Sequence, residues 1–136
     1  MADLVLTIRN DLDEVSAAVK ATTRFLEANN ASPKTVFAAS LAIEEIATNT
    51  IKYAYSDQNQ HEITIRLCLT ESALEIEISD DGDEFDPFAH PQPDPSLPSS
   101  QRTIGGLGIH FVRNMLDACS YLRRGGRNIV RLTKNL

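Results

Sequence analysis

Two short runs of strict alternation, joined by a link too short for anything but a turn, constrain this chain most. Ile63, Ile65, Leu67 and Leu69 alternate with Thr64, Arg66, Cys68 and Thr70, and Leu74, Ile76 and Ile78 alternate with Glu75, Glu77 and Ser79. A period of two is that of a β-strand, whose successive side chains point to opposite faces. The Glu71-Ser72 link makes the two strands an antiparallel pair. Each has one apolar face, so the sheet must be covered by helices on one side and wetted on the other.

The covering helices are readable from their own period and caps. Leu4, Leu6 and Ile8 suggest a first short strand. Asn10 or Asp11 then caps a helix running to about Asn29, with Val15, Ala18, Val19, Thr22, Phe25 and Leu26 on its buried side. Ser32 as N-cap and Pro33 at the first helical position open a second helix that runs to about Tyr55. A third is expected from Gly106 or Leu107 to Leu116, leaving Cys119 at a helix end. Ser120–Arg123 and Asn128–Thr133 flank Arg124-Gly125-Gly126-Arg127, which reads as a second hairpin.

A chain of 136 residues is one domain able to bury a single core. Its formal charge of −6 argues against a direct nucleic-acid binder, which needs a basic field, but leaves room for a small nucleotide held by local donors. Cys68 and Cys119 match no metal spacing and read as free buried thiols. Neither a signal peptide nor an apolar run of membrane length is present, so a soluble, cytoplasmic protein without a membrane partner is expected.

The second helix carries the chemistry. Val36, Ala39, Ile43, Ile46, Ala47, Thr50, Ile51 and Ala54 gather on one flank, and Glu45, Asn49 and Lys52 on the opposite one. A carboxylate can act as a general base, and an amide oxygen can ligate Mg²⁺. Asp80-Asp81-Gly82 ends a strand; an acid there can accept a hydrogen bond from an exposed amino group, and Gly82 lets the backbone come close to a planar ring. Phe85-Asp86-Pro87 opens a proline-rich stretch from about residue 83 to 104, too long to be a plain connection and read as a functional lid. Gly105-Gly106-Leu107-Gly108 leads straight into the third helix, whose N–H groups can meet an anion. No Gly-Lys-Ser/Thr follows, so this is not a Walker A loop, and it is not a dinucleotide fingerprint.

The order of these elements resembles the GHKL ATPase superfamily, which takes in gyrase B subunits, the ninety-kilodalton heat-shock chaperone, histidine-kinase catalytic domains and MutL. Glu45-x-x-x-Asn49 matches the N box, Asp80-x-Gly82 the G1 box and Gly106-x-Gly108 the G2 box, and the likeness covers about residues 5 to 134. It is strongest to the small anti-sigma factor serine kinases of the RsbW and SpoIIAB type. Glu-Glu-Ile-Ala-Thr-Asn-Thr-Ile-Lys, Asp-Asp-Gly-x-x-Phe-Asp-Pro, Gly-Gly-Leu-Gly-Ile and the terminal Gly-Gly-x-Asn-x-Val-x-Leu carry it.

The resemblance implies an α/β two-layer sandwich of the Bergerat type, a mixed, mainly antiparallel sheet with three helices on one face, as a single domain over residues 1–136. It implies Asn49 as the Mg²⁺ ligand, Glu45 as the acid that activates the attacking hydroxyl, and Asp80 with Gly82 at the adenine. Lys52, Phe85, Arg102, Gly105, Gly106, Leu107, Gly108 and Thr133 complete the ATP-binding set it implies. Arg102 stands farther from Gly108 than the lid arginine of relatives, and Tyr53 stands where His is common. The implied activity is ATP- and Mg²⁺-dependent phosphorylation of a serine or threonine on a small STAS-type anti-sigma antagonist. Sequestration of a sigma factor, and so transcription regulation, is the implied second role, with a homodimer as the expected assembly. Two alternatives stay open: an ATP-binding regulatory clamp without significant transfer, and the catalytic domain of a histidine kinase.

Overall fold

The computed structural model describes residues 1–89 and 106–136. In chain order the elements are β1 (Ala2–Arg9), α1 (Leu12–Ala28), α2 (Pro33–Tyr53), β2 (Glu62–Leu69), β3 (Ala73–Asp80), α3 (Gly106–Met115), β4 (Ala118–Arg124) and β5 (Arg127–Asn135). The five strands form one sheet in the order β1-β2-β3-β5-β4. The expected mixed sheet is antiparallel at every pairing among the described residues. Chain direction explains this. β2–β3 and β4–β5 are hairpins, and two consecutive helices between β1 and β2 bring the chain back running the opposite way.

Local signals fix the helix starts. The Asp11 side chain accepts from the Asp13 N–H at 2.8 Å, and Ser32 Oγ accepts from the Thr35 N–H at 3.2 Å with Pro33 in the first turn. Each such cap is worth about 1 kcal/mol. Ala54 closes α2 by donating its N–H to the Thr50 carbonyl at 2.9 Å. In the β4–β5 turn, Gly125 and Gly126 have φ of 58° and 75°. A two-residue hairpin whose twist matches its strands needs this left-handed pair, which glycine adopts without strain.

The helices cover one face of the sheet. Ile63, Ile65 and Leu67 of β2, Leu74, Ile76 and Ile78 of β3, and Leu132 of β5 are all but fully buried beneath Ile43 and Ile46 of α2, Leu26 of α1 and Val112 of α3. Fully burying a side chain of this kind contributes roughly 1.5–3 kcal/mol. The other face carries Arg66, Cys68, Glu75, Glu77 and Arg131. Cys119 is not at a helix end. It lies in β4 opposite Leu132, because strand pairing starts at Ala118 and the Asp117 N–H already bonds the Thr133 carbonyl at 2.8 Å. None of the described helices is long and apolar enough to cross a membrane.

Candidate functional site

Register places one acid where the apolar pattern of the inner face stops. Asp80, the last residue of β3, stands between Ile63 of β2 and Asn128 of β5 and is 3% exposed. Its Oδ2 accepts from the Gly82 N–H at 2.8 Å and from Asn128 Nδ2 at 3.0 Å. Among the described residues no hydrogen bond reaches Oδ1. Burial pushes the Asp80 carboxyl above its ordinary range, while Asn128, the Gly82 amide and Arg127 act in the opposite direction.

The turn after Asp80 is fastened to the end of α2. The Asp83 N–H donates to the Ala54 carbonyl at 2.6 Å. A Cβ at Gly82 would come within 2.7 Å of that same carbonyl oxygen and 2.9 Å of the Ala54 Cβ, so only glycine lets strand end and helix end approach this closely. Phe85 donates its N–H to Asn128 Oδ1 at 3.1 Å, and its ring lies 5.9 Å from that of Tyr53.

About one and a half turns back along α2, Asn49 is 7% exposed and, among the described residues, its Nδ2 finds no hydrogen-bond partner. α3 packs against α2. Farther back, Glu45 meets the first turn of α3, where a Cβ at Gly108 would overlap the Glu45 carboxylate. The Glu45 carboxyl is raised above its ordinary range by burial first and by Glu44 second, with Lys52 opposing. Lys52 itself is exposed in the last turn of α2.

These groups follow one another along α2 and its C-cap. Glu45 and Ala54 are nine residues apart on α2, about 13 Å at the rise of a helix. Asp80 and Gly82 lie at the Ala54 end, Glu45 and Gly108 at the other, and Asn49 between them. Gly106 is the first residue of α3, and Leu107, half-buried, follows it. Arg102 and Gly105 lie outside the described residues, as does most of the expected lid.

Thr133 does not join the cleft. It alternates with Leu132 and so turns to the open face of the sheet. There it lines a hollow of about 470 Å³ with Arg66, Cys68 and Glu75. That hollow, although large, holds none of the other groups named above. The residue β5 does contribute is Asn128, 2% exposed, whose inward place is set by Val130 and Leu132 on the same face. A polar residue at an inward position of an alternating strand was the signal that marked it.

The profile of the family described as "Histidine kinase-like ATPase domain" matches residues 8–134. The chain belongs to that family. Its α/β layering is that of GHKL-type ATPases. Among proteins of this family it is 33% identical over 101 residues to the "Serine-protein kinase RsbW" of Bacillus velezensis, a match of 71% of this chain and 62% of the relative. It is 32% identical over 101 residues to the protein of the same name in Bacillus subtilis, with the same shares. The RsbW of Listeria monocytogenes is 31% identical over 81 residues, 57% of this chain and 52% of the relative. The matched stretch is thus less than two thirds of these relatives. A crystal structure of the RsbU and RsbW domains of a Mycobacterium tuberculosis protein superposes with a TM-score of 0.71 at 13% identity, over 98% of this chain and 32% of that one. At that identity the likeness speaks for the fold alone.

Proposed function

We propose that this protein is an ATP- and Mg²⁺-dependent serine/threonine protein kinase that phosphorylates a small STAS-type anti-sigma antagonist and sequesters a sigma factor. One observation carries the reading. An acid with a free oxygen beside the C-cap of α2, a buried amide with no partner on its nitrogen, and a second acid packed on the first turn of α3 follow one another over a length that a nucleoside triphosphate can bridge. The names of the relatives supply the reaction class.

In this reading Asp80 Oδ1 accepts from the amino group of adenine, and Gly82 lets the ring lie close to the backbone. The N–H groups in the first turn of α3 face the phosphates. Asn49 fits a cation held between protein and triphosphate, because its amide is buried, has no partner on nitrogen and can turn its oxygen to a metal. Bound Mg²⁺ would neutralise charge on the transferring phosphoryl group. Glu45 takes the proton of the substrate serine or threonine hydroxyl as its oxygen bonds to the terminal phosphorus and the bond to ADP breaks. A carboxylate made more basic by burial suits that role.

The family's kinship with histidine kinases keeps a second reading, transfer to a phosphoacceptor histidine. Capture of the small partner from the native host with ATP present, followed by phosphosite mapping, separates them. Acid-stable phosphate on serine or threonine is the expected result. Acid-labile phosphate on histidine, or no transfer, overturns the proposal.

A further inference from the structure

Asn128 belongs to no part of the reading above except as a neighbour of Asp80, yet it is the most heavily hydrogen-bonded side chain beside the cleft. Its Oδ1 accepts from the Phe85 N–H at 3.1 Å, the Tyr121 hydroxyl at 2.6 Å and Arg123 Nη1 at 3.0 Å. Its Nδ2 donates to Asp80 Oδ2 at 3.0 Å and to the Asp83 carbonyl at 2.8 Å. The backbone N–H and the guanidinium can only donate, so the end of the amide that faces them must be the oxygen. The amide cannot flip, and both hydrogens of its nitrogen are committed.

The consequence falls on Asp80. Oδ2 is occupied by two donors, the Gly82 N–H and Asn128 Nδ2. The carboxylate plane is held, and Oδ1 is the acceptor left over. Arg123 ties the same network to the turn by donating to the Gly82 carbonyl at 2.8 Å. We infer that Asn128 is a specificity-determining positioning residue: it selects which oxygen of Asp80 meets the base and so makes the pocket choose a base that offers an amino group. This inference rests on the reading of Asp80 as the base-reading acid.

The test titrates the full chain, with Mg²⁺, against ATP and against inosine triphosphate, whose base has a carbonyl in place of the amino group. The native protein should favour ATP by roughly 10–100-fold, the range for a hydrogen bond to a charged group. Asn128→Ala should weaken ATP by about tenfold while changing inosine triphosphate by less than about threefold, so that the ratio collapses. Should Asn128→Ala not fold by circular dichroism, Asn128→Asp serves instead. It keeps the acceptor for Phe85, Tyr121 and Arg123, gives up the donor to Asp80 and to the Asp83 carbonyl, and sets a like charge beside Asp80, and the same collapse is expected. Equal weakening of both nucleotides would make Asn128 a structural pillar only and overturn the inference, as would an unchanged ratio. A native ratio near one overturns the reading of Asp80 itself, and the inference with it; that failure is distinguishable because it shows before any substitution is made.

Discussion

Asp80 is held in the folded chain at the cost of burying a carboxyl. Its carboxyl is raised above the ordinary aspartate value, chiefly by burial, so the folded state binds a proton more tightly than the unfolded state does. Stability therefore falls as pH rises from the unfolded value through the raised folded one, and stays lower above it. Asp80→Asn removes that ionisation. The variant is expected to melt no lower than the native protein at pH 7 and to lose this part of the pH slope. Its affinity for ATP should fall by about 1.5–3 kcal/mol. Melting curves across acid and neutral pH, beside an ATP titration, check both halves; a large drop in Tm with unchanged ATP affinity would reverse the assignment. Glu45, Asn49 and Asp80 were legible in the sequence because helix period and strand end place them without reference to the rest of the molecule. The burial of Asn49 was not legible, since helix period gives a residue's face and not what packs on it. Thr133 came from the resemblance alone, although the alternation of β5 turns it away from the side of Val130 and Leu132 and leaves Asn128 on that side.

Between elements, two contacts decide how the cleft is held. The first is α2 on α3, where Gly108 leaves room for the Glu45 carboxylate. Gly108→Ala must push Glu45 aside or lift the first turn of α3, and a displacement of about 1 Å in a catalytic group can cost about 10²-fold. Phosphoryl transfer by this variant is expected to fall at least tenfold in a single-turnover assay, with secondary structure unchanged by circular dichroism. Unaltered transfer would mean the contact is incidental.

The second contact joins the link after α2 to the turn after β3. His61 lies 2.8 Å from Asp57 through Nε2 and 3.1 Å from Asp81 through Nδ1, with its ring stacked on Tyr55 at 4.6 Å. Carboxylates only accept, so both bonds form only when both ring nitrogens carry protons. The His61 pKa is accordingly raised, first by the Asp57 hydrogen bond. Its contribution to stability is full below the unfolded value and is lost as pH rises through the raised folded one. Melts between pH 6 and pH 9 should show this loss in the native protein and not in His61→Gln; parallel curves would refute the clamp. Caps and turns were readable at this scale, from Asp11 and Ser32 to the Gly125-Gly126 hairpin. The proline-rich segment was readable only as a lid, and of it the described residues show just the entry, where Arg113 donates to the Phe88 carbonyl at 2.6 Å and stacks over the ring at 5.0 Å.

Across the molecule, the alternation of β2 and β3 determined the architecture. One inner apolar face demands a covering layer, and the helices supply it. Strand direction was the part that pattern alone left open, because it depends on how many helices intervene between strands. The central claim is that this layered frame positions ATP for transfer to a hydroxyl, with Glu45 as the base. The most direct measurement follows phosphate transfer from labelled ATP to the captured small partner, for the native chain and for Glu45→Ala at saturating ATP, with ATP affinity measured on both. The account predicts acid-stable phosphate with the native chain, and a rate lower by about 10²–10⁴ in the variant at an ATP affinity within about threefold of native. Equal transfer by the two proteins, or tight ATP binding by a native chain that transfers nothing, would contradict it.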